Sequence, residues 1–173
     1  VGMARYPDKH FDLAIVDPPY GIGIDGQKKT INKNPKHDRK FHEQKDWDCG
    51  IPNKKYFREL ERVSKNQIIW GGNYFVKCLL DGHKGWIVWD KGQHGLTMSD
   101  CELAYSSLDC PTRVYILNRG ALRVDGTIHP TQKPVALYKW LLKNYAKPND
   151  KILDTHVGSA SSLIACYDMN FDA

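Results

Sequence analysis

The most informative chemistry in the sequence follows an apolar segment near the amino terminus. Residues 11–16 are mostly apolar, which predicts a buried strand, and Asp17, Pro18, Pro19 and Tyr20 come directly after it. Each proline fixes its φ near about −65° and lacks an N–H group, so the chain beyond the strand is stiff and extended. A carboxylate, backbone carbonyls and an aromatic face therefore stand together at the carboxyl end of a strand, where open α/β sheets bind ligands.

These groups suit a planar base that carries an exocyclic amine. The carboxylate of Asp17 and the carbonyl of Pro18 can accept the two amine hydrogens, while Tyr20 stacks on the ring. The alternative is a proline-rich turn with a solvated aspartate and no ligand. The apolar strand before the prolines and the glycine after Tyr20 favour a binding site.

A second candidate segment lies near the carboxyl terminus. Residues 152–161 have the pattern of a strand end, a glycine-containing turn and a helix start. An acid at the strand end can pair with a cationic amine, and the N–H groups at a helix start favour a carboxylate. An ordinary strand–helix connection has the same pattern, so the turn alone does not define a site. Its candidate residues are Asp154, Thr155, His156, Gly158, Ser159, Ala160 and Ser161.

The elements that position these segments alternate between strand and helix patterns. We predict strands at residues 11–16, 67–70, 86–89, 101–106, 112–117 and 151–154, and helices at residues 52–66, 73–80, 134–145 and 161–169. This alternation predicts an α/β fold with a mainly parallel, doubly wound sheet. The spacing of the strands at 101–106 and 112–117 predicts an antiparallel hairpin at the sheet edge.

Length and composition limit the class of protein. A chain of 173 residues suffices for one domain with a real core. Lys plus Arg number 25 against 20 for Asp plus Glu, which permits a polyanionic partner without requiring one. The five cysteines form no C-x-x-C pair, so we expect a reduced, intracellular protein without a metal site. No apolar run approaches the roughly 18 residues that span a membrane.

Residues 24–50 are polar and basic and have no sustained periodicity. A stretch of this length is either functional or disordered. One interpretation is a solvated, mobile loop; the other is a lid that closes over a substrate and contacts its phosphates. The cations that we predict to bind DNA in the second case are Lys28, Lys29, Lys33, Lys36, Arg39 and Lys40.

Three segments resemble motifs of one enzyme family. Asp17-Pro18-Pro19-Tyr20 resembles motif IV of the amino-group DNA methyltransferases, in the DPPY form typical of adenine-N6 enzymes. Residues 129–134, HPTQKP, resemble motif X, and the turn at 154–160 resembles motif I. The order of the three motifs is the permuted order of the β-group. Residues 70–75 and 86–91 resemble segments of phage-type members, so the resemblance covers nearly the whole chain.

The resemblance implies a single Rossmann-like methyltransferase domain over residues 1–173, with 24–50 as a mobile basic loop. Residues 92–128 would hold the edge hairpin and a short target-recognition region. The implied reaction transfers a methyl group from S-adenosylmethionine to N6 of an adenine flipped out of double-stranded DNA, in the cytoplasm of a bacterium or phage-infected cell. Catalysis is implied for Asp17, Pro18, Pro19 and Tyr20. Cofactor binding is implied for Asp17, His129, Thr131, Gln132, Lys133 and the seven turn residues. A homodimer and a cognate restriction nuclease are compatible partners.

The turn departs from the family form D-P-F-x-G-S-G at two informative positions. Ala160 replaces the second glycine, and the added methyl group has a modest steric cost if the backbone stays at negative φ. His156 can stack near the cofactor or can support the residues around it. The chain starts a few residues before a core strand and stops at Ala173, so we expect a fragment whose acidic ribose-binding strand end lies outside it.

Other functions are compatible with these residues. The same chemistry can act on cytosine N4, on an RNA adenine or on a protein glutamine amide, and the DPPY form disfavours these targets only by family habit. The fold can also be a non-catalytic DNA-binding relic. A further interpretation makes Asp17, Asp154 and His156 the metal ligands of a hydrolase, but metal ligands need neither the double proline nor the tyrosine.

Overall fold

A computed structural model describes residues 2–23, 48, 50–79, 83–95, 99–118 and 132–173. The strands are β1 (Phe11–Val16), β2 (Ser64–Trp70), β3 (Trp86–Asp90), β4 (Cys101–Ser106), β5 (Arg113–Ile116) and β6 (Ile152–Leu153). The helices are α1 (Lys54–Val63), α2 (Val135–Tyr145) and α3 (Ser161–Asp168), with 3₁₀ turns at Met3–Arg5 and Gly72–Tyr74. The basic segment that we predict to bind DNA lies outside the described residues.

The six described strands form one sheet in the order β5-β3-β4-β2-β1-β6. β1 runs parallel to β2 and β6, and β3 runs parallel to β5. Only β4, among the described strands, runs antiparallel to its neighbours β2 and β3. The predicted mainly parallel sheet is therefore confirmed.

The predicted hairpin between residues 101–106 and 112–117 is wrong. β4 lies inside the sheet and pairs with β2 and β3, whereas β5 pairs with β3. The segment after β4 passes the amino end of β3 and adds β5 on its far side. Gly85 permits this crossing, because a Cβ there would lie 2.8 Å from the carbonyl oxygen of Leu108 and 3.2 Å from Sγ of Cys110.

One predicted helix end and one predicted helix also differ from the structure. α1 ends at Val63, because Ser64 turns to an extended conformation and its hydroxyl bonds the carbonyl of Leu60 at 2.5 Å. β2 therefore begins three residues before the predicted position 67. The predicted helix at 73–80 is wrong over the described residues 73–79, which hold a 3₁₀ turn followed by further turns. Phe75 is fully buried there, with its ring against Phe57.

Both faces of the sheet are covered. Leu13 and Ile15 of β1 belong to a core that includes α2 and α3, whereas Ala14 and Val16 face α1. This alternation follows from the two-residue period of a strand. It produces the three-layer arrangement that the predicted doubly wound fold requires. No helix in the described ranges is long and apolar enough to cross a bilayer.

Candidate active site

The carboxylate of Asp17 is held from two sides at the end of β1. Its Oδ1 accepts a hydrogen bond from the Tyr20 hydroxyl at 2.7 Å, and its Oδ2 accepts one from Nζ of Lys133 at 2.5 Å. The Asp17 side chain keeps 22% of its surface exposed. Pro18 is buried and Pro19 partly buried beside it. The segment thus presents an oriented carboxylate that a ligand can still reach.

Lys133 has three protein partners. Besides Asp17, Nζ donates to the Tyr20 hydroxyl at 3.1 Å and pairs with Oε2 of Glu102 at 3.1 Å. An ammonium group has three donors, so all of its donors are used here. Oε1 of Glu102 in turn pairs with Nζ of Lys91 at 2.9 Å. The sequence patterns gave no indication of Glu102 or Lys91 as site residues.

The charges of this cluster stabilise one another. Burial acts to raise the pKa of Glu102, but the attraction of Lys133 and Lys91 outweighs it and the pKa lies below its ordinary value. Burial acts to lower the pKa of Lys133, but the carboxylates of Asp17 and Glu102 hold it above the ordinary value. Burial and the Asp17 charge raise the pKa of Tyr20, so its hydroxyl stays protonated and donates.

The ring of Tyr20 is held in place by its neighbours. It stacks on Tyr74 with the centroids 5.0 Å apart and an interplanar angle of 15°, and it meets Phe75 edge to face. Gly71 has φ of 72°, and a Cβ on it would overlap Cε1 and Cδ1 of the Tyr20 ring. Glycine is required at this position for both reasons. Tyr74 is 41% exposed, so the aromatic pair reaches the surface.

Replacing Gly71 with alanine should therefore destabilise the protein and displace Tyr20. Gly95 is a matched control, because it also has positive φ but nothing lies within 4 Å of its Cβ position. We expect Gly95→Ala to cost about 1 kcal/mol from the backbone alone and Gly71→Ala at least about 2 kcal/mol. Urea unfolding of the two variants measures the difference. Equal losses would show that the contact with the Tyr20 ring carries no strain.

The turn after β6 is built around Asp154. Its Oδ1 accepts the backbone N–H of His156 at 2.8 Å, and its Oδ2 accepts the hydroxyl of Ser162 at 2.5 Å. Burial raises the pKa of Asp154 despite these bonds. The hydroxyl oxygens of Ser159 and Ser161 lie 3.0 Å apart at the start of α3. The turn therefore combines a partly buried carboxylate with hydroxyl groups at a helix start.

His156 contacts its neighbours in the protein. Oγ1 of Thr155 lies 2.9 Å from its Nδ1 and 2.7 Å from the hydroxyl of Tyr56, which belongs to α1. The Tyr56 and His156 rings meet edge to face with centroids 5.4 Å apart. Burial lowers the pKa of His156, which favours the neutral ring. These contacts favour the supporting role over a stacking role. The sequence did not indicate Tyr56 or Ser162 as site residues, since both occur in segments with an ordinary helical pattern.

Ala160 differs from the expectation. Its φ of 61° and ψ of 16° lie in the left-handed region, so the condition for a modest steric cost, a negative φ, is not met. The cause is the tight turn before α3, in which the N–H of Ala160 donates to the carbonyl of Val157 at 2.8 Å. Gly158 has φ of 52° in the same turn, where glycine has no such cost.

The Ala160→Gly variant should be more stable than the parent protein by about 0.5–1 kcal/mol, because it relieves a left-handed alanine. Ala165→Gly in α3 is the control with the opposite expected sign. Ala165 is fully buried inside the helix, so glycine there should cost at least about 1 kcal/mol. Urea midpoints report both changes. A loss of stability in Ala160→Gly would contradict the prediction.

The two candidate segments lie side by side. β1 and β6 pair in parallel with Leu13 opposite Ile152 and Ala14 opposite Leu153, so their carboxyl ends are neighbours. Burial is the largest cause of the raised pKa of Asp154, and the negative charge of Asp17 raises this pKa further. Of the predicted motif X residues, Lys133 joins this site and Gln132 is partly exposed. His129 and Thr131 lie outside the described residues.

Comparison with known proteins agrees with this geometry. Residues 106–172 match the family model N6_N4_Mtase, described as DNA methylase. The matched segment begins at the last residue of β4 and includes α2, β6 and α3. No curated protein matches it in sequence. Its methylase fold is similar to that of solved structures with low identity.

One such structure is the SAM complex of M1.HpyAVI, with a TM-score of 0.60 and 19% identity over 95% of this chain and 80% of that one. Another is TTHA0409 from Thermus thermophilus, a putative DNA modification methylase complexed with S-adenosyl-L-methionine. The TM-score is 0.58 and the identity 13%, over 99% of this chain and 82% of that one. At these identities the likeness concerns the fold, which both structures share with this chain.

Proposed function

We propose that this protein is a DNA methylase that transfers a methyl group from S-adenosylmethionine to the N6 of adenine in DNA. The observation that carries the proposal is the oriented, partly exposed carboxylate of Asp17, which ends a strand adjacent to the 154–161 turn. The carboxyl ends of adjacent strands are where this class of sheet places a bound nucleotide. A carboxylate there can accept hydrogen bonds from the amine of a base.

The residues of the turn fit the amino-acid part of S-adenosylmethionine. The partly buried carboxylate of Asp154 would pair with its ammonium group, and Ser159 and Ser161 at the start of α3 would donate to its carboxylate. Around Gly158, the nearest atom to a Cβ position is 3.7 Å away, so a ligand can approach the backbone. S-adenosyl-L-methionine is the molecule in the TTHA0409 complex, and the same cofactor is proposed here.

The cofactor supplies an electrophilic methyl group on a sulfonium. The protein's task is to make a weakly nucleophilic amine available and to orient it. Oδ1 or Oδ2 of Asp17 and the carbonyl oxygen of Pro18 would accept the two N–H bonds of the amine. Since each carboxylate oxygen accepts more than one hydrogen bond, the bonds from Tyr20 and Lys133 leave acceptor capacity. Catalysis then depends on positioning and electrostatics, without a covalent intermediate.

The adenine must leave the duplex to reach Asp17. The Tyr20–Tyr74 pair offers aromatic surface to compensate for the lost stacking, at about 1–3 kcal/mol per base. The six cations between Lys28 and Lys40 stay proposed as contacts to the DNA backbone, and residues 92–128 stay proposed as the target-recognition region.

Labelled methyl transfer tests the proposal directly. The protein is incubated with S-adenosylmethionine carrying a labelled methyl group and with mixed-sequence DNA, and the digested nucleosides are identified by mass spectrometry. N6-methyladenine is the expected product. N4-methylcytosine would move the target to the other substrate of the N6/N4 class, and transfer only to RNA or protein would overturn the DNA assignment.

A further inference from the structure

Glu102 joins two buried lysines, and the proposed function gives it no role. It lies on β4 opposite Trp89 of β3. Its two carboxylate oxygens pair separately with Lys91 at 2.9 Å and Lys133 at 3.1 Å. The side chains of these lysines are only 8% and 3% exposed. A carboxylate with one partner per oxygen has a defined orientation, so Glu102 is fixed on both sides.

The charges alternate along a line that ends at the proposed catalytic group. The order is Lys91, Glu102, Lys133 and Asp17, with N–O distances of 2.9, 3.1 and 2.5 Å. A lysine has a flexible four-carbon chain and a charge without strong directional preference. The pairing with Asp17 alone therefore does not fix where the ammonium stands. Glu102 supplies a further anchor for Nζ, and it is the only charged partner of Lys133 besides Asp17 among the described residues.

The position of that ammonium determines which part of Asp17 is available. Lys133 bonds Oδ2, and Tyr20 bonds Oδ1. If Nζ moved toward Oδ1, it would compete with the Tyr20 hydroxyl and with an incoming amine. A displacement of about 1 Å at a reacting group can cost about 100-fold in rate. Fixing the position of the Lys133 ammonium therefore also fixes which lone pairs of the Asp17 carboxylate can accept a hydrogen bond from the amine.

We propose that Glu102 is a positioning residue for methyl transfer, acting through Lys133 to fix the acceptor geometry of Asp17. The inference rests on the proposed function, because it assigns the consequence of this geometry to the transfer step. It predicts a loss in the rate of transfer with little change in the binding of cofactor or DNA. Lys91 supports Glu102 from the outer end of the line.

The test compares Glu102→Gln with Asp12→Asn. Asp12 is also a carboxylate in an ion pair on this sheet, with Lys65 at 2.6 Å, but it lies near the opposite end of β1 from Asp17. Thermal unfolding, calorimetric S-adenosylmethionine affinity, DNA affinity and the single-turnover rate are measured for both variants. We expect Glu102→Gln to reduce the rate by about tenfold or more with both affinities within about threefold. Asp12→Asn should keep the rate within about twofold.

A Glu102→Gln rate within about twofold of the parent protein would overturn the inference, as would equal rate losses in the two variants. If Glu102→Gln does not fold, Glu102→Asp replaces it, since it keeps the charge but is one methylene too short to hold Lys133. The same rate loss is expected for Glu102→Asp, and a parent-like rate overturns the inference.

Failure of the proposed function is distinguishable. If the parent protein methylates no adenine in DNA, that function fails, and the carboxyl ¹³C resonance of Asp17 decides the positioning claim without turnover. Glu102→Gln should shift this resonance and Asp12→Asn should not. An unshifted resonance in Glu102→Gln overturns the claim.

Discussion

Replacement of Asp17 with alanine is expected to lower the rate of methyl transfer by about 100- to 1,000-fold, while the dissociation constant for S-adenosylmethionine changes by less than about threefold. The variant removes the charged acceptor of the amine hydrogens. It leaves the Asp154 turn intact, because the hydrogen bonds of Asp154 go to Ser162 and His156. Single-turnover transfer and calorimetry measure the two quantities separately.

Asp17→Asn provides the matched control. It keeps the shape of the side chain and one oxygen acceptor but removes the charge that faces Lys133. An intermediate rate between the parent protein and Asp17→Ala is therefore expected. A rate for Asp17→Ala within about tenfold of the parent would contradict a catalytic role for this carboxylate. A parallel loss of rate and cofactor affinity would place Asp17 in binding instead.

The sequence was sufficient to locate the two candidate segments because their chemistry is local. In the DPPY segment, the strand, the two prolines and the tyrosine are consecutive, so the local order of residues predicts a rigid acceptor at a strand end. Strand alternation likewise predicts the parallel pairing of β1 with β2. The residues involved are neighbours along the chain or obey a simple topological rule.

Features that depend on distant pairing were missed. The hairpin prediction used only the spacing of residues 101–117. The pairing partners depend on the other strands of the sheet, because β4 pairs with β2 and β3 while β5 pairs with the far edge of β3. Glu102 has no local signal, since a single acid in a strand is typical of a solvent-facing position. Its role depends on the placement of β4 next to β3, which brings Lys91 within 2.9 Å. The φ of Ala160 was missed because its side chain normally disfavours the conformation that the turn imposes.

Lys133 shows how the local and the distant information combine. Motif resemblance singled out this residue, and we predicted contact with the cofactor. The structure places its ammonium among Asp17, Tyr20 and Glu102, with 3% of the side chain exposed. We therefore propose that its first function is to hold carboxylates. The order of the chain could not reveal this, because Lys133 and Asp17 are 116 residues apart.

The Lys133→Met variant is expected to lose about 3–5 kcal/mol of unfolding free energy and nearly all transfer activity. Methionine fills a similar volume but leaves Glu102 with one cation and Asp17 with the Tyr20 hydroxyl. Removing one partner from a buried ion pair leaves an uncompensated charge, and this cost exceeds the value of the intact pair. Urea unfolding with a constant m-value measures the loss.

Lys139→Met is the control from the helix that follows Lys133. Lys139 belongs to α2, which begins two residues after Lys133, and it pairs with Asp168 at 2.6 Å, but the two side chains are 43% and 39% exposed. Water screens such a pair, so its loss should cost at most about 1 kcal/mol and leave transfer unchanged. Equal destabilisation by the two substitutions would mean that burial adds nothing to the Lys133 pairs. A stable Lys133→Met protein with full activity would show that Lys133 does not orient Asp17. Glu102 could then not act on the active site through Lys133.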